Sequence, residues 1–320
     1  MTRFGLVLDP LADPGSATAG TVAGAVAGTV GGAAAQAVTA EQLGFDFVAA
    51  SEHVFFYGPA SNAFVELAAA AAVTSRVGLV SALTLLPLYP AALAAKMAAS
   101  LDRLSGGRFT LGVGVGGEYP AEFAACGVPV RRRGAKADES LAILRGLLGG
   151  GAVTLDGEFA RLDGLALQPP PAQRQLPVWV GGRKAAAQRR AARFGDAWLP
   201  YLISPEQLAA GLQAVRGFTE AAGRPPGTVT GAVYLWGSVS ERAETARQQA
   251  VDGVSEIYQQ DFAPLADRYL LAGDPGGVAA RLRDYAAAGS DAVIFAPACP
   301  PSQRPEVVRL FAEQVLPQLR

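Results

Sequence analysis

The sequence predicts an α/β chain whose parallel strands alternate with helices and close into a (β/α)8 TIM barrel. Three observations predict it. Eight short apolar stretches recur along the 320 residues. They lack the in/out alternation of a strand with one wet face, so both faces are buried, as in a parallel sheet. Most are separated by segments with helix caps or helical spacing, and no charge run or shift in composition divides the chain, so residues 1–320 read as one barrel domain. A doubly wound open sheet is the alternative built from the same elements.

The elements follow in order. Phe4 to Leu8 is a short apolar strand. From Pro14 to Ala40 there is no charge, and Gly20, Gly24, Gly28 and Gly32 fall at every fourth residue. Small residues at that spacing suit a transmembrane dimer ridge. The segment has no Leu, Ile or Phe, however, so its transfer free energy is too weak for a span of about 20 strongly apolar residues. The expectation is a flexible first loop entering a helix that ends near Leu43, its glycine ridge allowing close approach to the sheet.

Residues 45–51 form the second strand, and the alanine-rich stretch from Asn62 to Thr74 the next helix. Val77 to Leu86 is a buried strand stopped by Pro87. Leu93, Met97, Leu101 and Leu104 make one stripe on a helix that Pro90 opens and Ser105-Gly106-Gly107 ends. Phe109 to Gly116 is a strand, followed by the polar loop Gly117-Glu118-Tyr119-Pro120 and a helix over 135–148. Ala152 to Leu167 reads as a small hairpin insertion turning at Asp156-Gly157. Pro177 to Val180 is a strand running into Gly181-Gly182, then helix 184–194 and strand 196–201. Ser204-Pro205-Glu206-Gln207 is a helix start with Ser as N-cap, Pro at N1 and Gln at N3. Thr228 to Trp236 is a strand, helical segments fill 240–260, Asp274-Pro275 starts a helix, and Asp291 to Ala296 is the last strand. Val307, Leu310, Phe311 and Val315 give the final helix its apolar face.

Composition narrows the function. Half the residues are hydrophobic and 17% are charged, enough for a sizeable core and too few charges for a disordered chain. A net charge of −1 creates no field toward nucleic acid or an anionic membrane, so neither is an expected partner. Cys126 and Cys299, the two cysteines, lie in no CxxC pattern and read as inert small residues, which fits a reducing cytoplasm. The apolar run before Asp9 is too short for a signal peptide. With one histidine and no HExxH, no metal site is expected.

Four places carry candidate chemistry. Ser51-Glu52-His53 ends the second strand, and His53 is the only histidine. Parallel α/β proteins place chemistry at carboxyl ends of strands, and imidazole titrates nearest neutrality. The bland reading is a histidine packed beneath a loop. Gly112-Val113-Gly114-Val115-Gly116-Gly117 satisfies G-x-G-x-x-G, but Tyr119-Pro120 follows where a dinucleotide site needs a helix, so that reading fails. These glycines either let a flat ring lie close to the backbone or pack a narrow barrel. Glu118 ends the same strand and would face the mouth that holds His53, as an acid/base partner or a solvated loop residue. Gly181-Gly182-Arg183-Lys184 closes a strand and opens a helix, a combination of free amides and cations that suits phosphate. Arg131-Arg132-Arg133 is either a solvated surface or a grip on an acidic cofactor tail.

Three stretches together resemble the bacterial-luciferase-like flavin and deazaflavin oxidoreductases: Leu43–Val48 through Ser51-Glu52-His53, Leu101–Phe109 through Gly112-Val113-Gly114, and Pro177–Gly182 through Ala191–Trp198. The similarity covers nearly the whole chain and implies a (β/α)8 barrel, usually a homodimer, binding FMN or coenzyme F420 at the strand ends and acting on a small molecule. Gly116–Pro120, Glu122-Phe123, Gly127–Pro129 and Arg133-Gly134 are more similar to the F420-dependent branch. That resemblance implies catalytic roles for His53 and Glu118 and puts Glu52 beside the deazaflavin. It implies a non-prolyl cis peptide on the strand Leu79 to Ala82, so that Val80 and Ser81 back the ring with Gly114 and Gly116. It also implies a phosphate turn at Gly181, Gly182 and Arg183. The Ala/Gly-rich first loop departs from the family pattern. So does Val54-Phe55-Phe56-Tyr57, which stands where sugar-phosphate enzymes carry Trp or polar residues and points to an apolar substrate.

Overall fold

A computed structural model describes residues 1–9 and 32–320. The expected first loop and most of the glycine ridge lie outside the described residues. In chain order the elements are β1 (Arg3–Val7), α1 (Ala33–Gln42), β2 (Phe47–Ala50), α2 (Ala63–Val73), β3 (Gly78–Ser81), β4 (Thr84–Leu85), α3 (Ala91–Leu104), β5 (Phe109–Gly114), α4 (Pro120–Ala125) and α5 (Arg133–Leu148). Then come β6 (Val153–Asp156), β7 (Arg161–Leu165), β8 (Val178–Gly181), α6 (Ala185–Phe194), β9 (Ala197–Leu199), α7 (Pro205–Ala221) and β10 (Thr230–Val239). The chain ends with α8 (Ala243–Tyr258), α9 (Ala266–Tyr269), β11 (Leu271–Gly273), α10 (Pro275–Ala287), β12 (Ser290–Pro297) and α11 (Arg304–Leu310).

The fold is the (β/α)8 barrel. Eight strands, β1, β2, β3, β5, β8, β9, β10 and β12, belong to one sheet whose order closes through β10, which pairs β9 as well as β12. The chain divides into two compact units, one of Leu8–Glu41 and Phe47–Trp179, the other of Met1–Val7, Gln42–Asp46 and Val180–Arg320.

In the first unit β2, β3 and β5 run parallel, with Ala50 opposite Ser81 and Val80 opposite Thr110. All four β2 residues are buried, as the unbroken apolar run requires. The strand expected over 77–86 is two pieces, β3 and β4, separated by a cis peptide between Ala82 and Leu83, the non-prolyl cis bond expected here. Gly112 lets β5 close on this segment: a Cβ there would lie 2.0 Å from the Ser81 carbonyl oxygen. The Ser81 hydroxyl meanwhile accepts from Gly112 N (3.0 Å) and donates to Gly112 O (2.9 Å). The hairpin β6–β7 forms, but its turn is four residues rather than the Asp156-Gly157 pair, since Asp156 lies opposite Arg161. Glu139 of α5 decides this by accepting the amides of Glu158, Phe159 and Ala160 at 2.7–2.9 Å.

In the second unit β10 pairs β12 and β12 pairs β1, all parallel. The expected caps are present: Ser204 and Gln207 form a reciprocal capping box on α7, and Asp274 accepts from Gly277 N on α10. Phe295 stacks on Phe311 at 4.2 Å, filling the core beneath β12. Strand β11, which pairs the end of β10, was not expected, because three residues are too short to show a pattern.

Candidate active site

Strand β2 carries the chain buried to Ala50 and releases it at Ser51. Glu52 then turns inward and is 4% exposed. One carboxylate oxygen accepts from Leu85 N at 3.0 Å. The other accepts from the Tyr89 hydroxyl at 2.9 Å, Asn62 Nδ2 at 3.1 Å and Ala63 N at 3.4 Å. Asn62 also caps α2 through its Oδ1, so one residue starts the helix and anchors Glu52. Burial pushes the Glu52 carboxyl above the usual range and the charge of Glu122 adds to this, against the donations from Leu85, Tyr89 and Ala63. Burial, then the charge of Glu52, raises the Tyr89 phenol. Glu52, expected beside the cofactor, accepts from four protein donors and ties the end of β2 to α2 and β4.

His53 points the other way. Its side chain is 18% exposed, and Nδ1 lies 3.2 Å from both carboxylate oxygens of Glu122, which is fully buried. The Glu122 Oε2 also accepts from Val54 N at 3.2 Å and Phe55 N at 3.5 Å. The Phe56 ring stacks on the imidazole at 4.1 Å, and edge contacts continue through Tyr57 to Tyr119. Val54, Phe55 and Tyr57 are half exposed and make an apolar surface around the histidine.

The sequence pattern pointed to Glu118 as the carboxylate working with His53. Glu118 is exposed, and the carboxylate bonded to the imidazole is Glu122, four residues on. The expected polar loop Gly117–Pro120 ends one residue early: Pro120 opens α4 and puts Glu122 in its first turn beside the fully buried Phe123. Proline followed two residues later by an acid and then an aromatic residue is a helix-start signal that would have found it.

The expected ring-binding residues are mostly committed to the protein. Val80 is 2% exposed, and both hydrogen-bonding capacities of Ser81 go to Gly112. A Cβ at Gly114 would meet Leu83 at 3.2 Å, and one at Gly116 would meet Phe123 at 3.1 Å. One polar atom stands out: Thr84 Oγ1 on β4 is the single buried side-chain polar atom without a hydrogen-bond partner among the described residues.

In the other unit, Gly182 has φ +114° and a Cβ there would lie 2.9 Å from that of Ala187, so only glycine passes the chain into α6. Trp198 Nε1 donates to Gly182 O at 2.7 Å and fixes the turn. No side chain caps α6, whose N-cap is Lys184. Arg183 is exposed, lies 4.8 Å over the Tyr201 ring and donates to Leu202 O. An uncapped helix start with two exposed cations fits the phosphate of FMN or F420. Of the basic triplet, Arg132 pairs with Glu158 and Arg133 donates to Gly116 O and Val130 O. Among the described residues no group of His, Cys, Asp and Glu could hold a metal, and no helix is long and apolar enough to cross a membrane.

The family model for luciferase-like monooxygenases matches residues 2–292. The chain belongs to this family. Within it, the chain is 28% identical over 315 residues to an F420-dependent glucose-6-phosphate dehydrogenase of Kineococcus radiotolerans, covering 89% of this chain and 91% of that one. An uncharacterized protein of Mycobacterium tuberculosis is 39% identical over 166 residues, 52% of this chain and 57% of the relative, so the match spans little more than half of that relative. The crystal structure of monooxygenase RslO1 from Streptomyces bottropensis superposes with a TM-score of 0.82 at 28% identity, covering 100% of each chain. An F420-dependent secondary alcohol dehydrogenase in complex with an F420-acetone adduct shares the fold, with a TM-score of 0.83 at 20% identity over 100% of this chain and 99% of that one.

Proposed function

We propose that this luciferase-like protein is a coenzyme F420-dependent oxidoreductase acting on a small, apolar organic substrate, as a dehydrogenase or a reductase. The observation that carries the proposal is the only histidine of the chain, held by a buried carboxylate among half-exposed aromatic residues. The similarity to F420-dependent glucose-6-phosphate dehydrogenases along 89% of the chain supports the choice of cofactor. When bound, the deazaflavin supplies a two-electron hydride acceptor or donor at its C5.

The chain's own residues supply the proton and the positioning. In the oxidative direction His53 takes the proton from the substrate hydroxyl as the carbon loses a hydride, and in reduction it returns that proton to oxygen. Glu118, exposed beside α4, assists protonation or orients a polar group. Phe55 and Tyr57 exclude water from an apolar substrate. Arg183, Lys184 and the Gly181-Gly182 turn hold the cofactor phosphate. The same reading makes the protein a cytoplasmic homodimer whose 320 residues form one domain.

A second reading, an FMN-dependent monooxygenase supplied by a separate reductase, is favoured by the full-length similarity to RslO1. Titration of the apoprotein with F420 and with FMN, followed by tryptophan fluorescence, separates the two. Tight binding of F420 alone is expected. Tight binding of FMN alone overturns the proposal and directs the search to oxygen chemistry. A barrel that binds cofactor without catalysis would show no change in any measurable turnover on His53→Ala.

A further inference from the structure

We infer that Glu122 is the positioning residue of the site: it holds His53 as the Nδ1–H tautomer, so that Nε2 alone exchanges protons with the substrate. The part played by Nε2 rests on the function proposed above, whereas the tautomer rests on geometry alone.

Both Glu122 oxygens lie 3.2 Å from His53 Nδ1. A carboxylate only accepts, so the nitrogen facing it must carry the hydrogen. The remaining donors to Glu122 are the amides of Val54 and Phe55, which bind Oε2 and hold the carboxylate against the turn that bears the imidazole. With no exposure to solvent, Glu122 has no water to exchange for the imidazole, and an unpaired buried carboxylate would be costly. The stacked Phe56 ring covers one face of the imidazole and opposes the ring flip that would put Cδ2 in place of Nδ1 against Glu122. The unfavoured tautomer would set the Nδ1 lone pair against two carboxylate oxygens. Neutral His53 therefore presents a lone pair at Nε2, and protonated His53 presents an N–H there. A single atom serves both directions of a reversible proton transfer.

Because the chain has one histidine, ring-labelled protein gives an unambiguous NMR spectrum. Nitrogen-15 shifts and long-range couplings are recorded on the apoprotein at rising pH until the ring signals stop moving, so that the neutral ring is read. The expected result is a pyrrole-type Nδ1 and a pyridine-type Nε2 in the wild type. Glu122→Gln is expected to shift the balance toward Nε2–H, and Glu122→Asp to restore part of the wild-type pattern. An Nε2–H wild type, or an unchanged pattern in Glu122→Gln, overturns the inference. If Glu122→Gln does not fold, the wild-type spectrum still decides. Since neither cofactor nor turnover enters, the result stands apart from the function proposed, whose failure would show as unaltered turnover in His53→Ala. In steady-state kinetics Glu122→Gln should lower kcat by about a hundredfold or more, with KM and cofactor affinity near wild type.

Discussion

The mouth around His53 and the turn before α6 both carry charged groups at strand ends, and they handle charge in opposite ways. Around His53 two carboxylates are buried and saturated: Glu52 has four donors and Glu122 has the imidazole and two amides. At the α6 turn Arg183 and Lys184 are exposed, and the helix start has no side-chain cap. On the function proposed, the difference follows from the tasks. A proton must leave from one atom in one direction, which needs a group whose rotamer and tautomer are locked by its surroundings. A phosphate needs amides and cations that stay available until it arrives.

If that contrast is right, substitutions should separate cleanly into effects on rate, affinity and stability. The largest effect is expected from His53→Ala, which should lower kcat by about 10^2- to 10^4-fold while F420 affinity measured by fluorescence titration holds. Lost affinity with turnover retained at saturation would move His53 from the rate class to the binding class. Glu118→Gln should cost about ten- to a hundredfold in kcat, and an unaffected rate would mark Glu118 as a solvated loop residue. Joint replacement of Arg183 and Lys184 by alanine should raise the F420 dissociation constant by about tenfold or more, with kcat at saturation unchanged and the salt dependence of binding reduced. A fall in kcat there would mean that the turn reaches into the chemistry.

The smallest effect concerns Glu52, which the contrast assigns to stability. Glu52→Gln replaces an acceptor by a group carrying two donors among four existing ones, and should cost about 1–3 kcal/mol in chemical denaturation. The gap between wild type and variant should also depend on pH. Burial raises the Glu52 carboxyl in the folded protein. Its contribution is therefore fully present below the unfolded pKa and is lost as pH rises through the folded one. The wild-type advantage should shrink as pH rises above the ordinary glutamate pKa of about 4.3, and a gap that widened instead would mean the carboxylate is held ionised.

Much of the framework was legible in the residues. Eight parallel strands appear where apolar runs without alternation predicted them, and the helix starts at Ser204 and Asp274 carry the expected side-chain bonds. These are local signals, fixed by burial on both sides of a strand or by amides at a helix end that need an acceptor. The errors lie where the partner is distant in sequence. Strand 77–86 broke in two at Ala82–Leu83, and the hairpin turn lengthened because Glu139 accepts three of its amides. β11 depends on β10 to exist as a strand at all.

The candidate site divides in the same way. The sequence alone pointed to His53 as the centre of the proposed chemistry, since the chain has no other histidine and this one follows a buried strand. It also determined the Gly181–Lys184 turn, because a glycine pair before a helix is a local pattern. Only the tertiary structure decided which carboxylate meets the imidazole. Glu52, Glu118 and Glu122 are chemically alike and close in sequence to the two strand ends, but they differ completely in surroundings. Glu52 is drawn inward by Leu85, Tyr89, Asn62 and Ala63, Glu118 remains exposed, and the α4 turn at Pro120 brings Glu122 against His53 across 69 residues of chain. The role of an ionisable side chain is set by the donors and the solvent that reach it, and the packing of helix against strand end sets those.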